Sequence, residues 1–174
     1  LSDYMVITGS ASNSDGDPTS FASDLGVADD IDQDGYAELL VGASRTDTDF
    51  ASAGRVYVID GDNAFAGGVA MDIADITFEG AEDCAELSTN DRSGDYDGDG
   101  VPDLIVSQLN TDAINCQSSL YPTTHVFLGA ELESGTYLST DSSSYFISRD
   151  YSDGLGMEGL AFDMDGDGDD DLLL

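Results

Sequence analysis

Apolar residues along this chain fall into short runs, and acidic or small residues fill the stretches between them. YMVITG (4–9), GRVYVIDG (54–61), ADITFEG (74–80), THVFLGA (124–130) and SSYFISR (143–149) are the clearest runs. They are rich in β-branched and aromatic residues and bounded by Gly, Asp, Asn and Ser, which reads as strands. The 3.6-residue periodicity of amphipathic helices is weak throughout. No run approaches the ~18 apolar residues that a membrane-crossing helix needs, so no membrane insertion is expected.

The pattern repeats. DIDQDGYAELLVGA (30–43), DYDGDGVPDLIVSQ (95–108) and DMDGDGDDDLLL (163–174) align, at spacings of 65 and 68 residues. Each has Asp at positions 1, 3 and 5, Gly at 6 and an acid at 9, then an apolar run. The strand-like runs between the copies align as well, so one period holds four strands: one before the acidic turn, one after it, and two more. A four-stranded unit recurring at this period is the signature of a propeller blade. The predicted fold is all-β, a partial β-propeller of four-stranded antiparallel blades with the acidic turns between strands 1 and 2. Residues 1–20 are expected to hold the last strand of a preceding blade and a connection. Residues 21–80 and 87–149 form blades, and 155–174 start another. A complete disc of this kind takes on the order of 400 residues, so these 174 are expected to be part of a longer protein or an open array.

Charge narrows the function. Asp and Glu total 37 against 4 arginines (Arg45, Arg55, Arg92, Arg149) and no lysine, a formal net charge of −33. Such a surface repels phosphate backbones and anionic lipid, so neither nucleic acid nor membrane is an expected partner. A salt-loving source is a second explanation of part of the acidity.

The acidic turn has a chemistry of its own. Asp-x-Asp-x-Asp-Gly puts short carboxylates on one side of a tight turn, and calcium takes six to eight oxygens at roughly 2.3–2.6 Å in a flexible cage. Position 7 adds a backbone carbonyl. Left empty, the carboxylates repel one another, and a divalent cation relieves this. An EF-hand is excluded, because position 12 is Val41, Val106 or Leu174 in a β-type run rather than Glu between helices. Nine-residue calcium repeats are excluded because nothing recurs at nine.

With an acid at position 9 leading into a strand, the chain resembles the FG-GAP repeats of the integrin α-subunit propeller and its bacterial relatives, over nearly its whole length. The resemblance implies about three calcium ions. It assigns to the first Asp30, Asp32, Asp34, the Tyr36 carbonyl and Glu38. It assigns to the second Asp95, Asp97, Asp99, the Val101 carbonyl and Asp103, and to the third Asp163, Asp165, Asp167, the Asp169 carbonyl and Asp171. The chain departs from the family pattern in its Phe-Gly element, which reads Phe21-Ala22, Leu87-Ser88 and Leu155-Gly156. It departs again after strand 2, where Gly-Ala-Pro becomes Gly42-Ala43-Ser44 and Ser107-Gln108.

Strands that run up and down put successive connections on alternate faces. The acidic turns lie on one face; the 2–3 loops (about 44–54 and 107–124) and 4–1 connections (about 10–20, 81–90 and 149–156) lie on the other. Long loops on a rigid scaffold are where binding tends to reside, and the integrin likeness points to the same face. Cys84 and Cys116 fall there at adjoining positions, so a Cys84–Cys116 disulfide and two free thiols are both open readings. A bridge would imply an oxidising, extracellular setting.

Enzymatic signals are thin. GLGMEG (154–159) matches G-x-G-x-x-G but lacks the strand before and helix after that a dinucleotide site needs. His125, the single histidine, sits in a strand pattern, and there is neither lysine nor nucleophile elbow. The expected function is a non-catalytic, calcium-binding module of a secreted or cell-surface protein. It would serve adhesion or protein recognition, with a protein or glycan ligand on the face opposite the turns. A carbohydrate-binding propeller, for which only Phe50, Tyr121 and Tyr151 are available, and an accessory domain of an extracellular enzyme are the alternatives.

Overall fold

The computed structural model describes residues 6–9, 20–64, 68–109, 121–150, 155–156 and 160–174. Its strands in chain order are β1 (Ile7–Thr8), β2 (Phe21–Ala28), β3 (Glu38–Ala43), β4 (Arg55–Ile59), β5 (Gly68–Val69) and β6 (Ile76–Glu79). There follow β7 (Leu87–Gly94), β8 (Asp103–Gln108), β9 (Thr123–Phe127), β10 (Gly135–Leu138) and β11 (Ser144–Ile147), then the hairpin β12 (Leu160–Phe162) and β13 (Asp171–Leu173). The fold is all-β and built from blades.

One blade is the antiparallel order β2-β3-β4-β6, and the next is β7-β8-β9-β11. Their registers match. Leu40 faces Val58 and Val56 faces Phe78 in the first; Ile105 faces Val126 and Thr124 faces Phe146 in the second. The β12–β13 hairpin flanks the third acidic turn.

The central strands carry continuous apolar runs rather than an alternation because both faces of a blade are covered. Leu40, Val56, Val58, Ile76 and Phe78 of the first blade pack against Leu87, Leu104, Val106 and Phe127 of the second. The Phe78 and Phe127 rings meet at 4.4 Å between centroids. The other face of the first blade buries Val41, Tyr57 and Ile59, backed by Ala70 and the half-buried Ile7, Phe21 and Ile73. A fully buried Phe contributes roughly 2–3 kcal/mol by removal of its surface from water. Neither blade could bury its inner face alone, so their stabilities are coupled.

Two strands go beyond the four per period that the sequence predicts. β10, part of the connection between strands 3 and 4 of the second blade, lies parallel on the outer edge of β6 in the first. Its Gly135 N–H donates to the Asp75 carbonyl at 2.8 Å. β5, in the corresponding connection of the first blade, lies parallel on β1, with the Gly68 N–H donating to the Val6 carbonyl at 3.0 Å. The rest of residues 1–20, read from sequence as a connection, lies almost wholly outside the described residues.

Candidate metal centres

The turn that ends the first strand of each blade is tied by its own carboxylates, and the pattern recurs three times. The position 1 carboxylate accepts from the glycine N–H at position 6: Asp30 from Gly35 (2.9 Å), Asp95 from Gly100 (2.9 Å) and Asp163 from Gly168 (3.1 Å). Position 3 accepts from the N–H at position 5: Asp32 from Asp34, Asp97 from Asp99 and Asp165 from Asp167, at 3.1–3.2 Å. Position 5 accepts from position 7: Asp34 from Tyr36, Asp99 from Val101 and Asp167 from Asp169, at 2.8–3.1 Å. Position 9 reaches back from the following strand to the N–H at position 2: Glu38 to Ile31, Asp103 to Tyr96 and Asp171 to Met164, at 2.8–2.9 Å. Short Asp arms close such local rings, which is why Asp is chosen over Glu.

The chain must turn left-handed to do this. Gly35, Gly100 and Gly168 have φ of 98°, 87° and 107°, and position 4 is left-handed too, at Gln33 (61°), Gly98 (74°) and Gly166 (85°). Gln33 alone of these six carries a Cβ into a region that favours glycine.

Within each turn the carboxylates also converge on one another. Asp30, Asp32, Asp34 and Glu38 each place an oxygen within 4.8 Å of the others; so do Asp95, Asp97 and Asp99, and Asp163, Asp165 and Asp171. Two assigned carboxylates stand outside these sets. Asp103 is fully buried, and its two oxygens accept from the Tyr96 and Gly129 N–H groups, both at 2.8 Å. It ties the turn to the far end of β9. Asp167 is held by the Asp169 N–H. Tyr36, Val101 and Asp169 occupy position 7 in each turn, where their N–H groups are held.

The first centre is the most enclosed. Glu38 is 5% exposed, and its Oε1 and the Asp30 Oδ1 are buried without a hydrogen-bond partner. Two orphaned carboxylate oxygens in one acidic pocket are costly unless a cation sits between them, so these residues fit a divalent ion. Burial pushes the Glu38 carboxyl up to about 7; the Ile31 N–H works against this, and Asp32 and Asp30 add to it. Asp32 is also raised, by desolvation first and then by Asp34, Asp60 and Asp30. Asp103 is raised by burial against the pull of its two N–H donors. A cavity of about 260 Å³ adjoins the first centre, lined by Ile31, Asp32, Glu38, Asp60, Asp75 and Leu132 among others.

Neighbouring turns also touch. The Asp95 N–H donates to Asp170 Oδ2 (3.1 Å), and the Asp170 N–H donates to the Asp95 carbonyl (2.8 Å). A Cβ on Gly98 would stand 2.2 Å from an Asp169 oxygen. Asp169 is raised by desolvation, then by Asp167 in its own turn and Asp95 in the next. Between the first two blades, the Asp29 N–H donates to Ser93 Oγ at 2.9 Å. Sequence reading missed Asp170 and Ser93, because contacts between blades leave no mark on the period of one.

At the other end of the strands, the 2–3 loop of the first blade is laced to the following 4–1 connection. Cys84, Glu86 and Leu87 donate to the carbonyls of Ala51, Ser52 and Ala53 at 2.7, 3.2 and 2.9 Å. The Ala51 N–H donates to Asp83 Oδ1 at 2.9 Å. Cys84 is disulfide-bonded. Cys116, most of the second 2–3 loop, Tyr151 and most of GLGMEG lie outside the described residues. His125 is buried on β9 with Nδ1 3.1 Å from Ser142 Oγ, and burial lowers its pKa to about 4. It is a neutral blade residue.

Stacked four-stranded blades with a carboxylate-tied turn after each first strand define a class, the β-propeller built from acidic-turn repeats. Within it, residues 21–59 match the FG-GAP repeat. The chain is also similar to phosphatidylinositol-glycan-specific phospholipase D of Rattus norvegicus and of Bos taurus, 28% identical over 151 residues in each case, and to that of Mus musculus, 28% identical over 149. Each alignment covers 83% of this chain and 17% of the relative, so the chain spans about a sixth of the length of these curated relatives. No helix among the described residues is long and apolar enough to cross a membrane.

Proposed function

We propose that this chain is a calcium-stabilised, integrin-α-like propeller module of a secreted or cell-surface protein, used in adhesion or protein recognition. The observation that carries the calcium reading is the pair of buried, unpartnered oxygens on Asp30 and Glu38, inside a turn whose bonding recurs in two further copies. Each ion would fasten two strands of a blade at one end, with Asp30, Asp32, Asp34 and Glu38 holding the first. Oxygen-only ligands on a flexible turn favour calcium over magnesium, which demands a tighter octahedron. The role is structural, and no catalytic group is assigned. A protein or glycan ligand would meet the opposite face, where the laced loops give a rigid platform. A Cys84–Cys116 bridge would lock that face and suits an extracellular setting, where calcium is abundant.

The second reading is an accessory propeller of an extracellular enzyme. It is favoured by relatives that are named as phospholipases and are about six times longer than the aligned region.

Thermal unfolding in calcium against chelator, at matched ionic strength, tests the calcium reading. An ion that binds only the folded chain raises Tm, by about 2.7 kcal/mol of stability at a hundred times Kd. No shift, or an equal shift with sodium chloride, overturns the reading and leaves salt adaptation as the reason for the acidity.

A further inference from the structure

The two strands added in parallel obey one rule. The connection between strands 3 and 4 of a blade lends a short strand to the outer edge of the strand that precedes that blade: β10 to β6, and β5 to β1. Both added strands open on a glycine whose N–H donates to the carbonyl of the residue just before the receiving strand, Asp75 or Val6. Applied once more, the rule points to β11, the outer strand of the second blade, whose far edge pairs with nothing among the described residues.

The side chains agree. Phe78 on β6 faces Val56, and Phe146 on β11 faces Thr124 at the equivalent place. Phe78 is fully buried, with Tyr137 of β10 at 5.9 Å between ring centroids. Phe146 is 47% exposed, between Tyr145 at 64% and Ile147 at 56%. A groove of about 970 Å³ runs beside them, lined by Phe146, Ile147, Leu155, Leu172 and Leu173. A four-residue edge with three large exposed apolar side chains is a template for strand addition.

We propose that β11 is an acceptor edge for an extended strand with the chemistry of β10, donated by another repeat of this kind. The donor runs parallel to β11, with glycine opposite Ser144, an aromatic ring over Phe146 and an apolar residue opposite Ile147. The register is that of β10 on β6. The inference does not depend on calcium or on the ligand.

The probe is the capped, uncharged peptide SGTYLS (residues 134–139), which avoids repulsion by a chain of net charge −33. It is titrated onto the intact chain while amide hydrogen exchange is followed. Tethered segments work at effective concentrations near the millimolar range, so half-saturation at or below about 1 mM is expected. Exchange slows at 144–147 and is unchanged at 76–79. Replacing the peptide's tyrosine by serine, or Phe146→Ala in the chain, weakens binding about tenfold by removing one ring of the pair. Phe146 is half exposed, so that variant should fold, which an unchanged Tm would verify. Three results overturn the proposal: no slowing at 144–147 by about 1 mM, an effect at 76–79 through displacement of β10, or concentration-dependent protection of β11 without peptide, which would make a second copy the occupant.

Discussion

Glu38→Gln should make the ion-free protein more stable and the calcium-loaded protein less so. In the ion-free chain the Glu38 carboxyl titrates at about 7 rather than 4.5 because it is buried beside Asp30 and Asp32. An acid whose folded pKa is raised favours folding less as pH rises: the unfolded chain has released its proton by pH 4.5, while the native chain holds it until about 7. At about 1.4 kcal/mol per pH unit, the full penalty above pH 7 is about 3 kcal/mol. Glutamine does not ionise, can still accept from the Ile31 N–H, and can donate toward the orphaned Asp30 oxygen. In chelator, Glu38→Gln should therefore match the parent near pH 4 and exceed it near pH 8. At about 2–4 °C per kcal/mol for a chain of this size, the gap in Tm is about 6–12 °C. In calcium the order should reverse, because the variant lacks one charge of the first centre and loses most of that site's contribution. Calorimetry at pH 4, 6 and 8, with and without the ion, reads all of this. A variant less stable than the parent in chelator at pH 8 would refute the buried-carboxylate account.

Three further outcomes follow from particular positions. Gln33→Gly should raise stability by about 0.5–1 kcal/mol, the left-handed cost of a side chain less the entropy that glycine loses on folding, and a lowered Tm would count against it. His125→Gln should remove an acid lability. The folded pKa of about 4 lies below the unfolded 6.5, so the parent alone should lose about 3 kcal/mol as pH falls through that window, read as the difference between the two denaturant midpoints. Phe78→Ala should cost about 3–5 kcal/mol and speed hydrogen exchange in both blades together; faster exchange in the first blade alone would show that the shared core does not couple them.

Much of the architecture is legible in the sequence because it is periodic. Three acidic turns in register locate the strands on either side of them, and continuous apolar runs mark strands buried on both faces. What escapes is whatever happens between repeats. Asp170 and Ser93 hold a neighbouring blade, β10 is only GTYL, and β5 is only two residues, so none has a local signature. Asp103 shows a second limit. Its spacing makes it equivalent to Glu38, but its buried position against the end of β9 lets the Tyr96 and Gly129 N–H groups take both its oxygens. Glu38, one methylene longer, keeps an oxygen for the centre.

The loan of β10 to β6 also sets a clock on synthesis. Gly135, the first residue able to cover β6, follows its last residue, Glu79, by 56 positions. At about 5–20 residues per second, the first blade emerges complete yet waits about 3–11 s with an outer edge open to any other nascent strand. During that interval Glu79, paired with Arg55 on β4, is the acidic side chain carried on the open edge.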